Sequence, residues 1–308
     1  MIAKDLAWVG LISTDVDAAA TVFGRHLGLP RTDLESGAGS VPVFTIGRSA
    51  LAVFPAGHPL VDGESKPGVH HIALGVDDVE RAAKTVAVAG IKSTGGPSKG
   101  LGGRRCIVLE RGTTVGVRTF LTEQVELPRH SGGPLERIDH LGVASTDVAE
   151  DEGVFSRALG FPVESRQTDM EVNMAIESFT SDKYGVIYHT REPEPVGGLR
   201  VCFITVGDCD LEFLANFNPR QGGGVERGQP GNTKQDQGAI TRFVASRGRG
   251  LHHIALKSPD IDGTLATLAK AGLPMIDTKG RPGSRRALIG FAHPKALGGV
   301  LMHIVERP

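Results

Sequence analysis

The chain has 308 residues and carries 34 lysines and arginines against 35 aspartates and glutamates, so its formal net charge is −1. This balance, without a long run of one sign, argues against a nucleic-acid partner and against a polybasic membrane contact. No apolar stretch approaches the roughly 20 residues that span a bilayer, and the first residues lack the charged start, apolar core and cleavage site of a signal peptide.

The three cysteines, Cys106, Cys202 and Cys209, are odd in number and form no CxxC pair. This pattern favours reduced, buried thiols over disulfides and is typical of a reducing compartment. We therefore expect a cytoplasmic protein.

An internal repeat organises the chain. Residues 5–16 (DLAWVGLISTDV) align with 137–148 (RIDHLGVASTDV), and residues 69–74 (VHHIAL) align with 251–256 (LHHIAL). The second pair lies about fifty residues further apart than the first, so the second half carries an insertion. The repeat predicts four copies of one unit, and these open near Leu6, His70, Ile138 and His252.

Each unit follows the same order of elements. A short apolar strand is followed by an aspartate cap and an amphipathic helix, which ends at a glycine such as Gly90 or Gly272. Short strands separated by glycine and proline come next. They are predicted at 41–46 and 50–54, 106–109 and 117–121, 201–206 and 210–214, and 287–291 and 300–305. The sequence therefore predicts an α+β fold of four βαβββ modules.

Paired modules predict two domains. The first, residues 1–126, and the second, residues 135–308, are separated by a stretch rich in proline and glycine. Two segments of the second half break the pattern. Residues 166–190 add strand-like sequence, and residues 218–238 are polar and glycine-rich, which is typical of either a functional lid or a plain surface loop.

Polar residues interrupt apolar strands at matched positions of the second half. By alternation His140, Glu212, His253 and His303 each point to the inward face of a strand, because their neighbours are apolar. A buried glutamate must be paired or bound to a metal, since removing its charge from water is costly. Three imidazoles and a carboxylate at equivalent points of two modules predict a divalent-metal site.

The first half serves as an internal control. Its equivalent residues are Trp8, Ala52, His71 and Phe120, three of which cannot bind a metal. The first domain is therefore predicted to be a degenerate, metal-free pair of modules in which His71 is structural. Strand alternation also predicts that His252 faces away from the metal, as a packing or supporting residue.

The segments 138–144 (IDHLGVA), 248–256 (GRGLHHIAL) and 291–301 (FAHPKALGGVL) carry a family resemblance. The chain resembles the vicinal oxygen chelate superfamily, which includes glyoxalase I, methylmalonyl-CoA epimerase and extradiol dioxygenases. Residues 136–306 are most similar to methylmalonyl-CoA epimerase, whereas the layout of four modules looks like that of the extradiol and 4-hydroxyphenylpyruvate dioxygenases. The resemblance implies that each domain is a cupped mixed β-sheet with helices outside.

The resemblance also implies metal ligands at His140 and His253, and in the glyoxalase and epimerase types at Glu212 as well. His303 departs from the family, which usually has a glutamate ligand there that often acts as a base. Histidine can still bind a metal and carry a proton, although a metal-bound imidazole is a poor base. The substitution also breaks the set of two histidines and one carboxylate of non-haem Fe(II) oxygenases, unless Glu212 supplies the carboxylate.

The leading hypothesis is an epimerase, isomerase or glyoxalase-type lyase that acts on a small carbonyl or vicinal-oxygen substrate. One divalent ion (Zn, Co, Ni, Mn or Fe(II)) held by the four predicted ligands would polarise the carbonyl and stabilise an enediolate, while Glu212 or His303 moves the proton. The alternatives are an Fe(II) extradiol or 2-oxo-acid dioxygenase and a non-catalytic ligand-binding protein. Family resemblance further predicts a homodimer.

A cluster of arginines follows the predicted helix of the fourth unit. Arg281, Arg285 and Arg286 could hold an anionic group of the substrate, but a solvated loop is the favoured interpretation.

Overall fold

The first half of the chain forms one mixed sheet of eight strands. The computed structural model describes residues 1–128, 130, 132–218 and 238–308. The strands of this sheet are β1 (Leu6–Ser13), β2 (Arg31–Glu35), β3 (Ser40–Ile46), β4 (Ser49–Pro55), β5 (Gly68–Val76), β6 (Ser98–Lys99), β7 (Arg105–Val108) and β8 (Thr119–Glu123). Their order is β2-β3-β4-β1-β5-β8-β7-β6, so β1 and β5, the first strands of the two units, lie side by side at the centre.

The second half repeats this arrangement. Its strands are β9 (Arg137–Ser145), β10 (Val163–Asn173), β13 (Glu194–Val206), β14 (Cys209–Phe217), β15 (Gly250–Lys257), β16 (Arg281–Pro282), β17 (Leu288–Ala292) and β18 (Met302–Glu306). They pair in the order β10-β13-β14-β9-β15-β18-β17-β16. The strands β11 (Ile176–Ser181) and β12 (Gly185–Thr190) form a separate two-stranded hairpin.

One helix follows the first strand of each unit, and a fifth helix precedes the first strand of the fourth unit. The helices are α1 (Val16–Ala20), α2 (Val79–Val88), α3 (Val148–Glu152), α4 (Ala239–Arg247) and α5 (Ile261–Lys270), and π-helical turns over Thr21–His26 and Gly153–Ala158 extend α1 and α3. Short 3-10 turns lie at Pro59–Val61, Leu101–Gly103, Ser284–Arg286 and Pro294–Leu297. The predicted aspartate caps are present, because the carboxylates of Asp15, Asp78, Asp147 and Asp260 accept backbone N–H groups of the first helical turn.

The predicted fold is confirmed. Four βαβββ units pair into two curled mixed sheets, and each sheet lies within one of the two predicted domains, whose bounds at 1–126 and 135–308 stay a prediction. The structure adds two elements to the third unit. The strand-like sequence at 166–190 becomes the end of β10 and the hairpin, and α4 was not predicted. The predicted lid or loop at 218–238 lies outside the described residues except for its two ends.

Apolar side chains from the outer faces of both sheets and from the helices form the main core, in which Phe23, Phe44, Phe155 and Phe213 are fully buried. All three cysteines are free and buried, as the sequence predicts. No helix in the described part of the chain is long and apolar enough to cross a membrane.

Buried neutral histidines predict a loss of stability in acid. His70 on β5 is mostly buried, and burial lowers its pKa to about 4 from an unfolded value near 6.5. Because the folded state holds the neutral form, this contribution is complete above pH 6.5 and is lost as the pH falls toward 4. Between pH 8 and pH 5 the free energy of unfolding should fall by about 2 kcal/mol from this residue alone.

Urea unfolding at the two pH values, in a buffer free of multivalent anions, measures this effect. The variant His70→Gln cannot titrate, so its stability should depend on pH by about 2 kcal/mol less than that of the parent chain. An equal loss in both proteins would show that His70 does not contribute.

Candidate metal centre

The strand registers bring the four predicted ligands to one place. Across the central antiparallel pair β9–β15, His140 lies opposite Ala255, and His253 lies opposite Gly142. In the parallel pairs on either side, Glu212 of β14 lies opposite Gly142, and His303 of β18 lies opposite Ala255. Each ligand therefore sits beside the others on the concave face of the sheet.

The three imidazoles converge. His140, His253 and His303 each offer a ring nitrogen, and these nitrogens all lie within 4.8 Å of one another. The carboxylate of Glu212 lies on the His140 and His253 side of the cluster, with Oε2 at 3.3 Å from His140 Nε2 and 3.4 Å from His253 Nε2. Phe291 packs edge-on against His303, with ring centroids 4.4 Å apart, and holds that ring in place.

The cluster lies in the wall of a cavity of about 370 Å³. This volume is in the range of small-molecule sites. Apolar residues such as Ile240, Leu301 and Ile289 form much of the lining, whereas polar groups gather around the histidines. The cavity can therefore hold a small substrate against the cluster.

The electrostatics favour neutral rings at His253 and His303 and a charged carboxylate at Glu212. Burial lowers the pKa of His303 far below its ordinary value and also lowers that of His253, in spite of the opposing effect of Glu212. Burial by itself raises the pKa of Glu212, but His140 and His253 outweigh it, so the net pKa is lowered. Neutral imidazoles and an ionised carboxylate are the forms that bind divalent metals.

Unpaired ring nitrogens also support a metal ion at this cluster. In the described part of the chain, both ring nitrogens of His303 are buried without a hydrogen-bond partner. Most buried polar atoms in folded proteins are satisfied, and an orphaned group calls for an explanation such as an ion. The donor set of three nitrogens and one oxygen suits Zn, Co, Ni, Mn or Fe(II).

Two further residues orient the ligands. Asp139 Oδ1 lies 2.8 Å from His140 Nδ1, and since an ionised carboxylate only accepts, His140 donates from Nδ1 and leaves Nε2 for the cluster. His252 Nδ1 lies 2.9 Å from His253 Nδ1. Asp139 and His252 occupy equivalent positions before the two ligands, and the register of β9 with β15 shifts at both.

The prediction that His252 faces outward is wrong. Strict alternation assumes a regular strand, but the register shift between Leu251 and His253 adds a bulge at His252. The bulge turns this ring toward His253, and it lines the same cavity. The supporting role that the sequence also suggested for His252 matches this contact.

A buried charge network behind the cluster was missed from the sequence. Asp139 is fully buried and accepts from Arg307 Nε at 2.8 Å, while Arg285 Nη1 donates to Asp210 Oδ2 at 2.7 Å and Arg285 Nη2 lies 3.3 Å from Asp139 Oδ1. Burial raises the pKa of Asp139, but its bonds to His140 and Arg307 lower it further, so it stays ionised. The sequence signal for this network was Asp139, a charged residue within an apolar strand.

The prediction that the arginine cluster lies in a solvated loop is wrong for Arg285. Its side chain is only 11% exposed, and the guanidinium lies 3.6 Å from the centre of the Phe203 ring. Its backbone has φ of 54°, a left-handed conformation that glycine adopts at the corresponding position of the first half, Gly102. A non-glycine residue held there indicates that its side-chain contacts outweigh the strain.

The first half has the same geometry without the ligands. Trp8, Ala52, His71 and Phe120 occupy the equivalent register positions. The indole Nε1 of Trp8 donates to His71 Nε2 at 3.2 Å, and His71 stacks on Phe120 with ring centroids 4.3 Å apart. The inward lone pair of His71 is therefore taken by a protein donor, which supports a structural role.

The absence of a side chain at Gly142 leaves room for the His253 ring. A Cβ atom at Gly142 would overlap that ring, because the imidazole lies directly over the strand. Gly142→Ala should therefore displace His253 and weaken divalent-ion binding on the order of tenfold or more, similar to the loss of an orienting contact. Gly10→Ala, which meets His71 in the same way, should lower stability but leave metal affinity unchanged. Titration with Co(II) measures both variants, and equal affinities would contradict the prediction.

Both halves of the chain are similar to known proteins. Two stretches, residues 5–116 and 139–291, match models of the glyoxalase/bleomycin resistance protein/dioxygenase superfamily. Among curated proteins, a mitochondrial methylmalonyl-CoA epimerase of Dictyostelium discoideum is 25% identical over 131 residues, 41% of this chain and 69% of that protein. A mitochondrial methylmalonyl-CoA epimerase of Mus musculus is 23% identical over 42% of this chain and 64% of its own length.

Among solved structures, a mutant 4-hydroxymandelate synthase from Streptomyces coelicolor superposes with a TM-score of 0.65. The alignment covers 100% of this chain and 93% of that one at 15% identity. At this identity the likeness concerns the fold alone, and it extends over both sheets.

Proposed function

The chain belongs to the glyoxalase/bleomycin resistance protein/dioxygenase superfamily, and from this premise we propose that it is a divalent-metal-dependent epimerase, isomerase or glyoxalase-type lyase. The observation that carries the proposal is the buried, ionised carboxylate of Glu212, within 3.4 Å of two of three converging imidazoles. A base placed beside a cluster of metal ligands is what proton abstraction next to a metal-bound carbonyl requires.

His140, His253, His303 and Glu212 would hold one ion, which is Zn, Co, Ni, Mn or Fe(II). When bound, the ion supplies Lewis-acid polarisation of a substrate carbonyl. Asp139 and His252 keep the rings of His140 and His253 oriented through their Nδ1 atoms. The first half, whose equivalent positions lack the donors, serves as scaffold.

Glu212 is the proposed base. Its carboxylate oxygen takes the proton from the carbon next to the carbonyl, and the electron pair of that C–H bond is delocalised toward the carbonyl oxygen. A proton from solvent then returns to the other face of the same carbon, Glu212 loses the abstracted proton to solvent, and the product is an epimer. His303, the other residue predicted to move a proton, is buried and neutral with a strongly lowered pKa, which favours a role as ligand.

Solvent exchange tests the proposed reaction. In D₂O the metal-loaded protein should introduce deuterium next to the carbonyl of its substrate without consuming oxygen. A panel of acyl-CoA thioesters and hydroxy-ketones is suitable, because the curated relatives are methylmalonyl-CoA epimerases. The absence of exchange with every metal and every compound would contradict the proposal.

An Fe(II) dioxygenase acting on a catechol-like or 2-oxo-acid substrate is the second candidate. His140, His253 and Glu212 by themselves form the set of two histidines and one carboxylate that non-haem Fe(II) oxygenases use, and Glu212 contacts both histidines. Oxygen uptake with Fe(II) that disappears with Zn(II) would favour this reaction. Saturable binding of a carbonyl compound without turnover under either condition would favour a ligand-binding protein.

A homodimer is the proposed assembly, and the β11–β12 hairpin is the proposed contact. Both faces of this hairpin expose large apolar side chains, although an isolated hairpin is marginal in water. The exposed residues are Met174, Ile176, Phe179, Tyr184, Val186, Ile187 and Tyr188. At roughly 100 Å² each they present about 700 Å² of apolar surface per chain over the two faces, so a partner that packs on both faces would bury an area near the 800 Å² of a standard interface.

The charges of the hairpin favour a second copy as the occupant. Glu177 pairs with Arg191 across it, and Asp182 neighbours Lys183, so two copies meet without an excess of one sign. In sedimentation experiments Phe179→Ser together with Ile187→Ser should dissociate the dimer. Val88→Ser, which removes an apolar side chain that is 91% exposed elsewhere, should not. A monomeric parent chain would contradict the proposed assembly.

A further inference from the structure

A second, smaller cavity of about 90 Å³ lies where the two halves of the chain meet. In the first half its walls come from the start of β5 and from neighbouring loops. In the second half they come from α4 and the start of β15. The basic side chains that line it are Lys66, His70, Arg111, Arg118 and Arg247. Among the described residues, Glu64 is the one carboxylate in its lining.

A chain of hydrogen bonds fixes the proton of His70. The indole of Trp8 can only donate, and it donates to His71 Nε2, so neutral His71 carries its proton on Nδ1. His71 Nδ1 lies 2.8 Å from His70 Nδ1, which must then accept. Burial lowers the pKa of His71 well below its ordinary value and that of His70 to about 4, so both rings are neutral at pH 7.

Neutral His70 therefore carries its single ring N–H proton on Nε2. This nitrogen is buried and has no hydrogen-bond partner in the described part of the chain. A buried N–H group without an acceptor is costly. His70 lines the small cavity, so an acceptor bound there would satisfy this donor.

The arginines around the cavity are held in place by backbone carbonyls. Arg111 donates to the carbonyls of Gly116 and Arg249 at 2.8 and 2.7 Å, and Arg247 donates to that of Pro67 at 2.8 Å. Each guanidinium has five N–H donors, so these bonds fix its position without using all of them. Two of the bonds cross between the halves, which makes the cavity part of their junction.

Positive charge exceeds negative charge at this junction. Lys66, Arg111, Arg118 and Arg247 bring four positive charges. Arg118 pairs with Asp62 beside the cavity, and the carboxylate of Glu64 already accepts the backbone N–H groups of Ser65 and Lys66. The cavity is therefore rich in donors and has a net positive surround.

We propose that this cavity is a binding site for a small oxyanion, such as a phosphate or carboxylate group. The volume accommodates a group of this size, since a water molecule takes about 30 Å³. His70 Nε2–H and the arginines that line the cavity supply charge-assisted hydrogen bonds of the kind that hold phosphate. Bound oxyanion joins donors from both halves, so it stabilises the folded chain by linkage.

Calorimetric titration of the full chain with inorganic phosphate tests the proposal, with acetate and chloride at equal ionic strength in parallel. Phosphate should bind one equivalent with a dissociation constant in the millimolar range or below, and chloride should give no saturable heat. Saturable heat with acetate as well would identify a general oxyanion site, and heat with phosphate alone a phosphate site. No saturable heat with either oxyanion would overturn the proposal.

Variants locate the binding. Arg247→Gln should raise the dissociation constant at least about tenfold, and Lys66→Gln, on an exposed side chain, should raise it less without affecting folding. Arg31→Gln removes the same charge from the edge strand β2, outside the cavity, and should bind like the parent chain. Equal affinities in the Lys66, Arg247 and Arg31 variants would overturn the proposed location.

Nitrogen chemical shifts of the histidine rings give an independent readout. His70 should show the proton on Nε2 in the absence of phosphate, and the Nε2 and Nε2–H resonances should move on saturation. A proton on Nδ1, or an Nε2 resonance that ignores phosphate, would overturn the assignment of His70 as a donor. This readout does not depend on catalytic activity or on the metal, so it is separate from the proposed function.

Discussion

Replacing His253 with alanine is expected to remove most of the bound divalent ion. Binding of zinc to a structural site releases about 10–16 kcal/mol of free energy in total. The loss of one of four ligands should therefore weaken metal affinity on the order of 100-fold or more. His253 also bridges the cluster, because its Nε2 lies 3.4 Å from Glu212 Oε2 and its ring centroid lies 5.0 Å from that of His303. Metal analysis after dialysis against a limiting chelator measures the effect.

A matched control is available in the first half. His26 lies in the π-helical turn that follows α1, so His26→Ala removes a histidine without touching the cluster. This variant should keep the metal content of the parent chain. Retention of the full complement of metal by His253→Ala, with the fold intact by circular dichroism, would contradict the proposed centre.

Glu212→Gln is expected to slow proton abstraction by roughly 10²- to 10⁴-fold, the range that a positioned general base contributes. Glutamine keeps the size of the side chain and one oxygen, but it cannot take the proton. Glu212 is 5% exposed, and the neighbouring imidazoles lower the pKa of its carboxyl, so the parent chain holds the charged form at neutral pH.

Two measurements separate the roles of Glu212. Deuterium exchange into the substrate reports the base, and metal content reports the ligand. A large loss of exchange with metal retained identifies Glu212 chiefly as the base, whereas loss of both identifies a ligand as well. Undiminished exchange would show that another group abstracts the proton. As a control, Glu177→Gln on the exposed hairpin should change neither quantity.

The sequence determined the repeat, the unit and the predicted ligand set. Alignment of the two halves gave the four βαβββ units, because each unit repeats the same apolar periodicity, aspartate cap and terminal glycine. It also matched Trp8 with His140 and Phe120 with His303, and the strand registers agree. Local patterns suffice for this because strand alternation and helix capping depend on residues near one another in the chain.

Only the tertiary structure decided what surrounds the ligands. Bulges at Asp139 and His252 reverse the facing that strict alternation predicts, and a bulge depends on how two distant strands pair. The bond from Arg285 to Asp210 joins residues 75 positions apart, and the proton on His70 depends on Trp8 through His71. These contacts depend on how the sheets curl and pack, and a periodic pattern along the chain carries no information about that.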